Sequence, residues 1–140
     1  MRVLTFIASA MLVSCGSQSN QVPAGPAELL FEGISGLDLR FVLKNGTATS
    51  IEYEGWTGGG SNSPLSYSLT CYPKGKTEIR GAFSPFLDAG SPPQSIEVPP
   101  HSRFLLEIRV LETPDLVGSK CYMEMRLANG SHLKSKEFDL

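Results

Sequence analysis

Strict alternation of apolar and polar residues is the feature that most restricts this chain. In LDLRFVL, Leu37, Leu39, Phe41 and Leu43 share one face, and Asp38, Arg40, Val42 and then Lys44 share the other. LSYSLTCY sets Leu65, Tyr67, Leu69 and Cys71 against Ser66, Ser68 and Thr70. RFLLEIRV sets Phe104, Leu106, Ile108 and Val110 against Arg103, Glu107 and Arg109, and CYMEMRL sets Cys121, Met123, Met125 and Leu127 against Tyr122, Glu124 and Arg126. A period of two with one apolar face is the pattern of a half-buried antiparallel strand. Shorter stretches of the same character are Glu28–Glu32, Ser50–Glu54, Thr77–Arg80 and Ser95–Val98. With 14 glycines and 10 prolines interrupting the chain, long helices are disfavoured. The expectation is an all-β domain over residues 28–140, a single antiparallel β-sandwich of about seven or eight strands.

Two Asn-Gly dipeptides mark turns, and the apolar faces suggest their registers. A five-residue loop from Asn45 to Thr49 pairs Phe41 with Tyr53, Leu43 with Ile51 and Arg40 with Glu54. A two-residue turn at Asn45-Gly46 would mix the faces, because a one-residue slip turns every side chain over. A three-residue loop, Asn129 to Ser131, pairs Leu127 with Leu133, Glu124 with Lys136 and Tyr122 with Phe138. Both Asn-Gly-Thr/Ser triplets match a glycosylation sequon and are read as turns.

Cys71 and Cys121 each fall on the apolar face of a strand. Two inward cysteines in facing sheets could form a disulfide, closing a loop of about 50 residues and stabilising the fold by roughly 4 kcal/mol in the chain-entropy model. Their spacing resembles that of immunoglobulin domains. The pattern departs from that family at the only tryptophan, Trp56, which precedes Cys71, and at Ser119, where a tyrosine would stand. The resemblance implies an immunoglobulin-like sandwich, not membership of the family.

The N-terminus carries a second constraint. Arg2 precedes an apolar run from Val3 to Val13, too short to span a bilayer, which needs about 20 residues, and suited to an export signal. Leu12-Val13-Ser14-Cys15 resembles the lipobox of bacterial lipoproteins. That resemblance implies cleavage after Ser14, a diacylglyceryl group on Cys15 and acylation, palmitate included, of the new amino terminus. Residues 1–14 would be the signal peptide, and 15–27 a lipidated terminus and flexible linker, GSQSNQVPAGPA, that holds the domain off the membrane. Gly16 after the cysteine, where an Asp would signal inner-membrane retention, favours the outer membrane in a cell that has one.

Charge excludes some partners. Arg2 is the only charged residue of the signal, so its removal takes the net charge from −2 to −3. That balance gives no case for nucleic acid and no polybasic patch for anionic lipid. Recognised catalytic patterns are missing from the sequence: there is no GxSxG elbow, and Gly58-Gly59-Gly60 lacks the Lys and helix of a phosphate loop. His101 and His132 stand alone, Glu52, Glu54 and Glu124 read as surface charges, and neither a metal nor a cofactor site is expected. Possible partner-binding loops carry Trp56 and, in GAFSPFLDAGSPP, Phe83, Phe86 and Leu87. The expected role is non-enzymatic: a membrane-anchored binding, adaptor or envelope-structural lipoprotein with an envelope protein as partner. A protease inhibitor acting through exposed loops is the second expectation. An enzyme built on His101 or His132 is the third.

Overall fold

The computed structural model describes residues 21–36, 38–58, 61–75, 79–81, 91–109 and 116–140. Among the described residues there are, in chain order, eleven strands: β1 (Ala27–Ser35), β2 (Asp38–Asn45), β3 (Ile51–Gly58), β4 (Ser61–Pro64), β5 (Tyr67–Tyr72), β6 (Ile79–Gly81), β7 (Gln94–Val98), β8 (Ser102–Arg109), β9 (Lys120–Arg126), β10 (His132–Lys134) and β11 (Phe138–Asp139). They form two sheets. The larger has the order β1-β2-β8-β4-β3-β7, and the smaller β10-β9-β5-β6, with β11 continuing beside β9.

Alternation places the apolar faces as the sequence requires. Leu39, Phe41 and Leu43 of β2, Leu106 and Ile108 of β8, and Ile51 and Tyr53 of β3 are buried on the inner face of the large sheet. Tyr67, Leu69 and Cys71 of β5 and Cys121, Met123 and Met125 of β9 are buried on the small one, and all join one core. The sheets meet directly at three rings. Phe31 of β1 stacks on Phe138 of β11 with centroids 4.0 Å apart, and Phe41 meets Phe138 edge-on at 5.4 Å. Such contacts contribute about 0.5–1.5 kcal/mol each beyond the area they bury.

The pairing differs from the sequence reading. β2 does not pair with β3: Phe41 lies opposite Phe31 of β1 and Leu106 of β8, and Tyr53 lies opposite Ile96 of β7. Arg40 accordingly faces Glu107, at 3.5 Å, and not Glu54. Any partner that keeps the faces matched satisfies the alternation equally, so local pattern cannot choose among them. The large sheet is also mixed and not wholly antiparallel, because β4 lies parallel to β8 with Asn62 opposite Leu106. That contact is reinforced by Asn62 donating to the Leu105 carbonyl (3.1 Å) and Ser63 to that of Glu107 (3.0 Å).

The last hairpin is shifted too. Leu133 pairs with Met125 and Lys134 with Glu124, two positions from the expected register, so the faces are unchanged. Beyond Lys134 the register slips back by one residue, leaving it one position from the expected pairing. At Met123 the Ser135 side chain replaces a strand partner: the Ser135 amide donates to the Met123 carbonyl (2.8 Å), and its hydroxyl accepts from the Met123 amide (2.9 Å). The slip puts Phe138 opposite Cys121 instead of Tyr122, and so turns its ring into the core.

Cys71 and Cys121 are bridged, as the sequence suggested, but from neighbouring strands of one sheet and not from facing sheets. They are direct partners in the β5–β9 register, 4.1 Å apart at Cα, and both are buried. The bridge of an immunoglobulin domain joins its two sheets; this one does not.

Candidate functional site: the turn end of the fold

The sequence-derived residues scatter. Cys15, Phe83, Phe86 and Leu87 lie outside the described residues. Trp56 lies on the outer face of β3, half-buried, with its indole N–H donating to the Ser91 carbonyl at 2.8 Å. It thus pins the approach to β7 and neither lids the core nor crowns a loop. Gly58 ends β3 opposite Ser61, the first residue of β4, while Gly59 and Gly60 lie outside the described residues. His132 opens β10 on the surface. His101 sits in the β7–β8 turn with φ 54°, and its carbonyl accepts from the Val22 amide at 2.9 Å. Glu52 and Glu54 are exposed, and Glu52 stands directly opposite Glu97. Among the described residues no cluster of His, Cys, Asp and Glu is arranged to hold a metal.

What the structure does bring together is one end of the fold, where the β2–β3, β7–β8 and β9–β10 connections gather. Asn45, the last residue of β2, is fully buried and organises it. Its amide nitrogen donates to the carbonyls of Thr49 (2.9 Å), Val98 (3.0 Å) and Pro99 (3.1 Å). Its carbonyl oxygen accepts from the Thr47 amide (3.0 Å) and hydroxyl (2.7 Å). Asn129 repeats the second half of this arrangement at the surface, accepting from the amide (2.9 Å) and hydroxyl (2.7 Å) of Ser131. The two Asn-Gly-Thr/Ser triplets are therefore one turn motif used twice, the side chain of Asn holding the residue two positions on.

The β9–β10 connection crosses to the large sheet. Ala128 donates its amide to the Glu52 carbonyl (2.8 Å), and Arg126 to that of Ser66 (3.0 Å). A shallow groove opens on either side of this crossing. The larger, about 400 Å³, has buried Ile51 and Leu127 beneath and Thr47, Thr49, Ser50, Glu52, Asn129 and Ser131 around it. The smaller, about 270 Å³, lies between Glu54, Ser66 and Arg126. The Thr47 hydroxyl has its acceptors in the Asn45 side chain and the Thr49 carbonyl, that of Ser131 donates to Asn129, and that of Ser50 donates to Glu97 at 2.5 Å. The larger groove thus offers mainly lone pairs, suited to a ligand or partner rich in donors.

Elsewhere the outer face of the large sheet carries ion pairs in register: Glu28 with Lys44 (3.1 Å), Arg40 with Glu107, and Asp38 with Arg109 (3.1 Å). Leu30, Val42 and Leu105 lie opposite one another between them. Val42 is buried despite sitting on the face read as polar. In the core, the Tyr53 and Tyr67 hydroxyls are buried without a hydrogen-bond partner among the described residues, and burial raises both phenols above their ordinary pKa.

No protein-family model matches this chain. No curated protein matches it either. Its function is therefore inferred from its own residues.

Neither Asn45 nor the grooves were anticipated as a site. The signal was present in the repeated Asn-Gly-Thr/Ser triplets, but only the three-dimensional pairing shows that one Asn is buried against Val98 and Pro99.

Proposed function

We propose that this chain is an extracytoplasmic lipoprotein of a bacterial cell envelope, anchored by lipid at Cys15 and acting by binding rather than by catalysis. The observation that carries the proposal is the Cys71–Cys121 disulfide. Disulfides persist in oxidising compartments, which a chain with the export pattern of residues 1–14 would enter. The chain has three cysteines, so the bridge leaves Cys15 as the odd one, at the position a lipobox would modify. The two sheets around one core are read as a β-sandwich, immunoglobulin-like only in its cysteine spacing. Gly16 favours the outer membrane in a cell that has one. The turn end, with its acceptor-rich groove, supports contact with a donor-bearing component of the envelope.

Intact mass measurement of protein recovered from its host's membranes tests the reading. The expected species lacks residues 1–14, carries acyl mass on Cys15, and gains the hydrogens of a single bridge on reduction. Cys15→Ala should abolish the acyl mass and the membrane association together. An unprocessed, unacylated protein in the membrane fraction would overturn the proposal.

A further inference from the structure

The stretch expected to be a free linker up to Ala27 is tied to the domain well before that residue. Val22 is buried, and its amide donates to the His101 carbonyl in the β7–β8 turn at 2.9 Å. Gly25 donates to the Gly46 carbonyl at 2.9 Å. Gly46 has no room for a side chain, because a Cβ there would sit 2.9 Å from the Gly25 carbonyl oxygen and 3.0 Å from that of Pro23. β1 then begins with Ala27 opposite Asn45. Both docking points, the β2–β3 loop and the β7–β8 turn, are braced by the same Asn45 side chain. The segment is thus seated at the turn end by a built contact.

The reach of the link limits how the domain can stand on a membrane. From Cys15 to Val22 there are seven residue steps, which span at most about 25 Å when fully extended. β1 runs nine residues from the turn end to the far end, or about 30 Å. A domain held at Val22 cannot stand with its far end on the surface that holds Cys15, because the link is shorter than the domain is tall. Were the chain free up to Ala27, twelve steps would reach about 40 Å and every orientation would be open.

We infer that the docked segment Val22–Ala27 makes the turn end the membrane-facing side of the protein, lying against the phospholipid headgroup layer; this rests on the reading of Cys15 as the anchor. The composition of that end fits such a surface. Asn45–Ser50, Pro99–Ser102 and Ala128–Ser131 contain no Asp, Glu, Lys or Arg, so the three loops at the tip of this end carry no anionic side chain to be repelled by anionic headgroups. The opposite end, with the β1–β2 turn at Gly36 and the turn at Gly75, points away from the bilayer and is the end open to an envelope partner.

The test couples Cys15 of the chain from Cys15 to Leu140 to a maleimide phospholipid, on vesicles of phosphatidylcholine and phosphatidylglycerol. Chemical coupling makes the anchor independent of cellular processing, so the orientation can fail while the lipoprotein reading stands, and the reverse. An azide-bearing amino acid in place of Thr49 or, separately, of Lys74 (both exposed) receives a fluorophore, and headgroup-labelled quencher lipids report its distance from the surface. Quenching severalfold stronger at position 49 than at 74 is expected. Inserting about ten Gly/Ser residues after Gln18, outside the docked segment, lengthens the link beyond the height of the domain and should bring the two signals together. Equal quenching in the parent chain, or stronger quenching at 74, overturns the inference. So does a difference that survives the insertion, because the docked segment would then not be what orients the domain.

Discussion

Replacing Tyr53 by Phe should stabilise this protein, the reverse of the usual effect of a core substitution. Tyr53 is fully buried, Tyr67 is 8% exposed, and neither hydroxyl has a partner among the described residues. An unpaired buried hydroxyl costs about 1–3 kcal/mol of desolvation, while Phe keeps the ring and its packing. Taking the low end, Tyr53→Phe adds about 1 kcal/mol, and the double variant with Tyr67→Phe about 2 if the sites act independently. For a domain of this size that is a rise in Tm of roughly 4 °C per substitution. The alkaline limb is a second readout. Burial raises both phenols in the folded state, so the unfolded chain loses these protons first as pH rises past the ordinary tyrosine value of about 10. The folded state then binds more protons, and stability falls with pH from that point upward, having been fully present below it. Urea unfolding measured by circular dichroism at neutral pH and near pH 11 should show the double variant ahead at both, with the larger gap at the alkaline pH. If Tyr53→Phe lowers stability at neutral pH, the hydroxyl has a partner; if the pH profiles of parent and double variant run parallel, burial does not raise the phenols; either result refutes the reasoning.

Single contacts give the other expectations. Removing the disulfide with Cys71→Ala and Cys121→Ala frees a loop of sequence separation 50 and should lower the unfolding free energy by about 4 kcal/mol; adding reductant to the parent should reproduce most of that loss in the same urea titration. Asn45→Ala strips partners from three carbonyls and from Thr47, a loss of about 2–4 kcal/mol that urea titration measures and hydrogen exchange should localise to the β2–β3 and β7–β8 connections. Gly55→Ala would drive its Cβ into the Ser63 carbonyl and should cost about 1–3 kcal/mol, read as a lower Tm and faster exchange across the β3–β4 hairpin. Because the Glu28–Lys44, Arg40–Glu107 and Asp38–Arg109 pairs are partly exposed, high salt should shift the Tm by little, each pair being worth about 0–1 kcal/mol.

The division between what could be read from the residues and what could not comes from the range of the forces. Alternation in LDLRFVL, RFLLEIRV and CYMEMRL placed Leu39, Phe41, Leu106, Ile108, Met123 and Met125 inside, because the direction of a side chain in a strand depends only on its parity. The same parity argument put Cys71 and Cys121 indoors and made their bridge foreseeable. Parity is silent about partners. The alternation of β2 is satisfied as well by Phe31 and Leu106 as by Tyr53, and the choice is made by contacts far away in sequence. β4 was missed because SNSP has no apolar alternation; it is a strand only because β3 and β8 lie on either side of it. Phe138 was placed on the wrong face because the Ser135 hydroxyl, standing in for a strand partner, absorbs one residue of register. A free linker as far as Ala27 was expected because the composition is that of a flexible chain, whereas Val22 and Gly25 dock on carbonyls of His101 and Gly46 that only the fold assembles. By itself, then, the sequence determined the all-β class, the inward faces and the cysteine pair, all local consequences of backbone geometry. Sheet order, the buried Asn45 and the seating of the N-terminal segment came from tertiary structure alone, because each depends on which distant backbone groups remain to be satisfied once the strands have paired.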